Sequence, residues 1–526
     1  MVVSNAVLSH NKIDCVAMSK FLDADVLKKG FTLEEDHWKD LAPGVTWRRR
    51  RFRFLLTNPE QPEEPQHEGL CINEIIVDSH ADAEITPVLA AEHSGLVDME
   101  EIENAYWATT FAMGAIRASE ARKEARLFLN MSHFLAGDIG HDVRNLAQLL
   151  RKVDQSPEAW EEVRKELEPF DPEVIPYEGG TLAVGRYAAA FAASRLVQSS
   201  DEIIAATNAG YFLNFPEEYA DGVSCLHQPV GGHMVDGRLV FPCWFERPGI
   251  LSFRNGDFRA ELFGVQDMEL HLGGLPPVRL NPASGKVPVH GKTWRNFEEP
   301  VPAPGPDAAQ LAFTGSLLVD AADGSHALAP PSGGATVWVE GEHANYVMEN
   351  LGREGLRAKV RMRRFDEGEP EWLVSAGPFL VREGKALLSA DSIFRRENAG
   401  EFRPGGPPPT RFPYDTEKTQ APRTAIGTTA AGGLKIVVVD GRRSGEHSCG
   451  LTLQGLAHLM EKLACETVVN LDGGGSSIMA IEGATLAEML RDNSPYGVVN
   501  VPSDAGGRER IMPVFLAVKR QDKSGG

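Results

Sequence analysis

The sequence predicts an α+β fold: mixed, largely antiparallel sheets with packed helices, plus a helical insertion. Three observations lead there. Short apolar runs broken by Asp-Gly and Asn-Gly pairs fill the centre, a helix-periodic stretch runs from Val97 to Phe170, and a strand–helix–strand pattern lies between Leu434 and Asp472. The implied organisation is a lead-in at 1–39, a domain at 40–520 interrupted by a helical insertion at 95–175, and a tail at 521–526.

VTWRRRRFRFLL, Val45 to Leu56, alternates bulky and basic residues as a strand with one exposed face does, and its arginines suit a solvated face better than an anion site. TNPEQPEEPQHEG then reads as a loop and LCINEIIVD as the next strand. In the insertion, SPEAWEEVRKELEPF places Ser156 as N-cap, Pro157 at the first helical position, and Glu158, Glu161 and Glu162 at the positive end of the helix dipole. Nothing there has catalytic spacing, so Trp107, Phe111 and Trp160 are assigned to packing. AVGRYAAAFAASRLV is a further helix. GHMVDGRLVF, LSFRNGDFRAELFG and EWLVSAGPFLVREGKALL are hairpins, and EEPVPAPGPDAAQ and ENAGEFRPGGPPPTRFPYDTEKTQ are Pro-rich loops.

The 526 residues carry a formal charge of −21, which argues against nucleic acid or an anionic membrane as partner, so an anionic ligand must be held by a few placed cations. The six cysteines form no C-x-x-C pair and read as buried thiols. His227, His233, His271, His290 and His447 lack any metal-ligand spacing, so no metal or other cofactor is expected beyond a structural calcium on loop aspartates. The start of the chain lacks the pattern of a secretory signal and no 18-residue apolar run occurs, which leads to the expectation of a soluble, cytoplasmic protein.

The chemistry concentrates between Arg423 and Met479. LKIVVVD is a buried strand ending at Asp440. Thr452 caps a helix whose Leu453, Leu456, Leu459, Met460 and Leu463 recur at helical spacing. TVVNLD is a second strand ending at Asp472. This order places Asp440 and Asp472 at the same edge of one sheet. The run Gly473, Gly474, Gly475, Ser476, Ser477 follows, and its strand-like flanks disfavour a flexible linker. A plain tight turn and a ligand cradle both remain open. The P-loop ending is absent, while three glycines can bring main-chain N–H groups to a ligand.

RTAIG, VVVDGR, GLTL leading into a helix, and NLDGGGSS occur in that order and resemble the phosphodiester glycosidase family. AATNAGYF is similar to the family's Asn-Gly-Gly-Phe-Phe element, VSAGPFLVREGK to its Gly-Gly-Pro-Leu-Leu element, and VVNVPSDAGGRERIMPVFLAV to its last strands. At Gly455 the family commonly has a glutamate. The resemblance implies a hydrolase that cleaves a sugar from a glycosyl-1-phosphodiester, a small molecule or a glycan, and makes an extracytoplasmic location a second expectation. It implies catalytic roles for Asp472, Asp440 and Arg423, with Asp472 as the carboxylate and Arg423 on the phosphate. Asn208, Gly210, Tyr211, Thr424, Arg442, Asn470, Gly473, Gly474, Gly475, Ser476 and Ser477 would bind substrate. A non-catalytic sugar-phosphate-binding module and a phosphodiesterase attacking phosphorus are the alternatives.

Overall fold

The computed structural model describes residues 31–58, 61–96, 190–212, 227–244, 246–282, 288–291, 303–328, 334–351, 356–387, 420–443, 447–490, 496–504, 507 and 509–521. The expected helical insertion falls almost wholly outside these residues, as do the first five residues of EEPVPAPGPDAAQ and all but Gln420 of the second Pro-rich stretch. Among the described residues half are in strands and 13% are helical, so the molecule is more β-rich than the α+β expectation. Pairing is antiparallel in every ladder except the two-residue contact of Asn281–Pro282 with Pro288–Gly291.

An eight-stranded sheet carries the site. Its order is Phe31–Ala42, Val45–Asn58, Gln61–Val77, Leu434–Val439, Arg423–Thr429, Cys465–Asn470, Phe379–Arg382 and Lys385–Ala386. Leu434–Val439 and Cys465–Asn470 both run antiparallel to Arg423–Thr429 between them. They therefore point the same way, and Asp440 and Asp472 emerge at one edge as the sequence pattern requires. The helix Leu453–Lys462 joins them. Thr452 accepts the Gly455 N–H (3.0 Å), and Leu453, Leu456, Leu459 and Met460 are buried against one face of the sheet. The other face meets the main core, to which Trp47, Ile75, Ile436, Val438 and Val469 contribute.

Two further sheets close the site. Met479–Ile481, Ile203–Asn208, Val514–Arg520 and Ala83–Leu89 form one, so the residues after the Gly-Ser run pair with those before Tyr211. Arg238–Phe241, His233–Val235, Pro370–Ser375, Arg247–Phe253 and Phe258–Phe263 form the other. The predicted hairpins are present. Asp236 and Gly237 (φ 47° and 71°) turn the first, and Glu383 and Gly384 (φ 51° and 68°) turn the strand pair after Pro378.

Four local expectations are corrected. TNPEQPEEPQHEG is mostly strand, because the ladder from Val45↔Val77 continues to Asn58↔Gln61 through the polar sequence. The sheet also begins at Phe31, inside the expected lead-in. Arg49 and Arg50 are buried rather than on a solvated face. Arg49 donates to Glu35 (2.8 Å) and to the Glu488 carbonyl (2.6 Å), and Arg50 to Glu74 (3.0 Å), so neighbouring carboxylates neutralise the basic run. Of AVGRYAAAFAASRLV the described residues begin at Ala190, and among them the helix starts at Ala193, running to Ser199. Just before it, Phe191 bridges to Met512 and stacks on Phe515 (4.9 Å), fixing an extended backbone that no helical spacing announces.

Candidate active site

The Gly-Ser run is a short 3-10 turn, Gly474–Ser476, and not a linker. Gly474 has φ 61°, a conformation that glycine takes without the Cβ penalty. Four of the N–H groups that a cradle would offer are already bonded within the protein. The N–H of Gly473 donates to Asp472 Oδ1 (2.8 Å), that of Gly474 to the Pro422 carbonyl (2.9 Å), and those of Ser476 and Ser477 to Gly473 and Gly474. The turn bonds itself because three glycines allow it to fold tightly on the sheet edge.

What the turn presents is Asp472. Its main chain is held by Asn208, whose Nδ2 donates to the Asp472 carbonyl (2.6 Å), and by its own N–H on the Ala209 carbonyl (3.0 Å). Asn208 Oδ1 accepts from Thr424 Oγ1 (2.8 Å) and the Ile478 N–H (3.2 Å), and Thr424 reaches Ser477 Oγ (3.3 Å). Asn208, Thr424 and Ser477 are fully buried in this network. Through these bonds they position Asp472. Asn470 and Gly210 are likewise buried. Asn470 Nδ2 donates to Tyr211 Oη (2.7 Å) and the Gly377 carbonyl (2.9 Å), and Gly210 lies where a Cβ would come within 2.9 Å of His233 Nε2.

Asp472 is partly exposed as a residue, while protein surrounds its carboxylate. Burial raises its pKa above the ordinary value, and Asp504 adds to this. The Ser476 hydroxyl, Arg510 and the Gly473 N–H oppose it without cancelling it. Tyr211, Gly473 and Gly474 are partly exposed and Arg442 is exposed, its Nη2 3.0 Å from where a Gly474 Cβ would sit. Burial and the nearby Asp472 charge push the Tyr211 phenol up to about 12, so it stays a proton donor, on the Gly377 carbonyl (2.8 Å).

Arg423 is buried. Its Nε donates to the Leu451 carbonyl (2.9 Å), and burial, with Arg442 adding to it, brings its pKa down to about 10. Two arginines absent from the sequence expectations complete the ring. Arg247 lies with Cζ 5.5 Å from the Tyr211 ring centre. Arg510 forks onto Asp504 (2.9 and 3.0 Å) and donates to Ser476 Oγ (3.2 Å), and this pair stands against Gly475. No local spacing could have found either, because Arg247 opens a strand of another sheet and Arg510 lies 38 residues beyond Asp472 (510 − 472). Asp440 is buried away from solvent, on His447.

Four guanidinium groups thus lie around Asp472, its Gly-Ser turn and Tyr211, one of them paired with Asp504, in a chain of net charge −21. Such a cluster suits an anionic ligand with an electrophilic centre. Residues 308–519 match the phosphodiester glycosidase family. The match holds Arg423, Asp440, Arg442, Asp472, the Gly-Ser turn and Arg510, and bears out the resemblance read from the sequence. Asn208, Tyr211 and Arg247 lie before it.

Three solved structures are similar to the chain. A hypothetical protein from Synechocystis has a TM-score of 0.41 at 12% identity, over 90% of this chain and 62% of that one. A putative exported protein from Burkholderia pseudomallei K96243 has a TM-score of 0.46 at 16% identity, over 93% and 97%. The zebrafish N-acetylglucosamine-1-phosphodiester alpha-N-acetylglucosaminidase catalytic domain, auto-inhibited by its pro-peptide, has a TM-score of 0.36 at 10% identity, over 93% and 88%. The chain thus spans about 62% of the Synechocystis protein it matches. No curated protein matches the chain. No described helix is long and apolar enough to cross a membrane.

Proposed function

We propose that this protein is a hydrolase that cleaves a sugar from a glycosyl-1-phosphodiester. The observation that carries the reading is the cluster in the family-matched part of the chain, where Asp472 and the turn after it lie beside Arg510, Arg442 and Arg423. Asp472 meets the anomeric carbon, as nucleophile or as base toward water, and burial, by raising its pKa, makes it a stronger base than an ordinary aspartate. The phosphate monoester released when the sugar C–O bond breaks is a weakly basic leaving group, so one carboxylate suffices and a strong general acid is not needed.

Arg442, exposed beside Gly474, takes the phosphate oxygens in a bidentate fork, with Arg423 behind it adding field rather than direct contact. Tyr211, steadied by Asn470 and Arg247, lines the sugar side. The test is turnover of a panel of sugar-1-phosphodiesters and nucleotide sugars in ¹⁸O-labelled water, read by mass spectrometry. Label in the released sugar is expected. Label in the phosphate instead means hydrolysis at phosphorus, and absence of turnover across the panel favours a binding module.

A further inference from the structure

A second cluster of chemistry-bearing side chains lies beside the first and has no part in the reaction above. Cys71 is on Gln61–Val77, Asp440 follows the neighbouring strand, and the Asp440 N–H donates to the Cys71 carbonyl (3.0 Å). The chain returns at Ser448, which bridges to Arg443. Ser448 Oγ donates to the Asp440 carbonyl (2.6 Å) and accepts the Cys71 N–H (3.1 Å), which brings His447 over both. One sulfur, one carboxylate oxygen and one imidazole nitrogen lie within 4.8 Å of one another.

We propose that Cys71, Asp440 and His447 bind a divalent metal ion of the zinc class. The carboxylate carries the argument. Asp440 is 1% exposed, and its Oδ2 is used by the Val501 N–H (3.1 Å) and His447 Nε2 (2.6 Å). Its Oδ1 is buried without a hydrogen-bond partner among the described residues. A bare carboxylate oxygen next to a thiol and an imidazole is a donor set lacking its acceptor. Sulfur with nitrogen selects zinc over calcium or magnesium, so this is not the loop-aspartate calcium site expected from the sequence.

Asn73, two residues along the same strand face as Cys71, supplies a fourth donor. It is fully buried, its Oδ1 is also unpartnered, and its Nδ2 lies 3.9 Å from Cys71 Sγ, so rotating the amide turns Oδ1 toward the ion. On binding, the Cys71 S–H bond is replaced by a sulfur–metal bond and the proton passes to solvent. Thiolate plus carboxylate then balances the two positive charges. His447, partly exposed and on a loop, is the ligand that shifts, opening its 2.6 Å contact to about 3.3 Å as tetrahedral bonds of about 2.0–2.1 Å require. The ion would tie together two strands and the loop that carries Arg442.

The test uses the full chain, stripped with a chelator and titrated with Zn²⁺ or Co²⁺. Expected are about one metal per chain by elemental analysis and, with cobalt, a sulfur-to-metal charge-transfer band with the intense visible bands of a four-coordinate ion. Cys71→Ser should remove the charge-transfer band. His447→Gln, on the loop, should weaken binding about tenfold or more and abolish the rise in Tm that zinc gives the wild type. The second variant keeps the test decisive if Cys71→Ser does not fold. Absence of retained metal, a six-coordinate cobalt spectrum, or wild-type uptake in His447→Gln would overturn the proposal.

Discussion

Gly475→Ala probes how the turn supports Asp472. A Cβ at Gly475 would lie 2.0 Å from Asp504 Oδ1 and 2.2 Å from Arg510 Nη2, where ordinary contact begins at 3.4 Å. The ion pair must therefore retreat by about 1.4 Å (3.4 − 2.0), more than its bonds of 2.9 and 3.0 Å can absorb while Arg510 also holds Ser476. Overpacking of this kind costs about 1–3 kcal/mol. The pair itself is partly exposed and adds no more than about 1 kcal/mol. Asp472 also loses the cation that favours its ionised form, so the acid limb of the rate profile moves to higher pH. Denaturant unfolding and a pH profile of kcat/KM measure the two effects. Unfolding free energy within about 0.3 kcal/mol of wild type together with an unmoved acid limb would refute the reasoning.

Gly455→Ala should stabilise the helix Leu453–Lys462 by up to about 1 kcal/mol, since its Cβ meets Leu451 and Thr452 only at 3.4 Å, and Gly455→Glu should do so further by completing a capping box with Thr452. Equal or lower Tm in both variants would contradict this. His233 is buried and burial lowers its pKa to about 4, so its stabilising share is whole above about pH 6.5 and is lost as pH falls through 4. The loss is about 3 kcal/mol, and urea titrations of His233→Asn should show a flatter acid slope than wild type. Tyr211, with its pKa raised to about 12, contributes stability that is full below about pH 10 and fades above it. Tyr211→Phe should cost about 1 kcal/mol at neutral pH, read from the same titrations, and remove that alkaline decline.

The elements legible in the sequence were those whose cause is local. Thr452 and the spacing of Leu453, Leu456 and Leu459 announce one helix, Asp236-Gly237 announces a hairpin, and two apolar runs ending in Asp440 and Asp472 place both at one sheet edge. What depends on pairing across the chain was not legible. The polar stretch after Leu56 is strand because its neighbour extends along it, and Phe191 leaves the helical pattern for Met512 and Phe515. The site divides in the same way. Asp472 and its turn stand in one motif, whereas Arg247 and Arg510 reach them from other sheets and segments. The glycines read as a possible amide cradle because sequence reports the freedom of a backbone and not where its N–H groups find acceptors. Gly455 marks a missing helix-cap partner, since its position is the third residue after the Thr452 cap.

The most direct test is the turnover number of Asp472→Asn on whichever sugar-1-phosphodiester the wild type cleaves, with circular dichroism to verify the fold. The account expects kcat to fall by about 10²–10⁴ with the fold intact. A value within a few-fold of wild type would mean that Asp472 is not the carboxylate that meets the sugar.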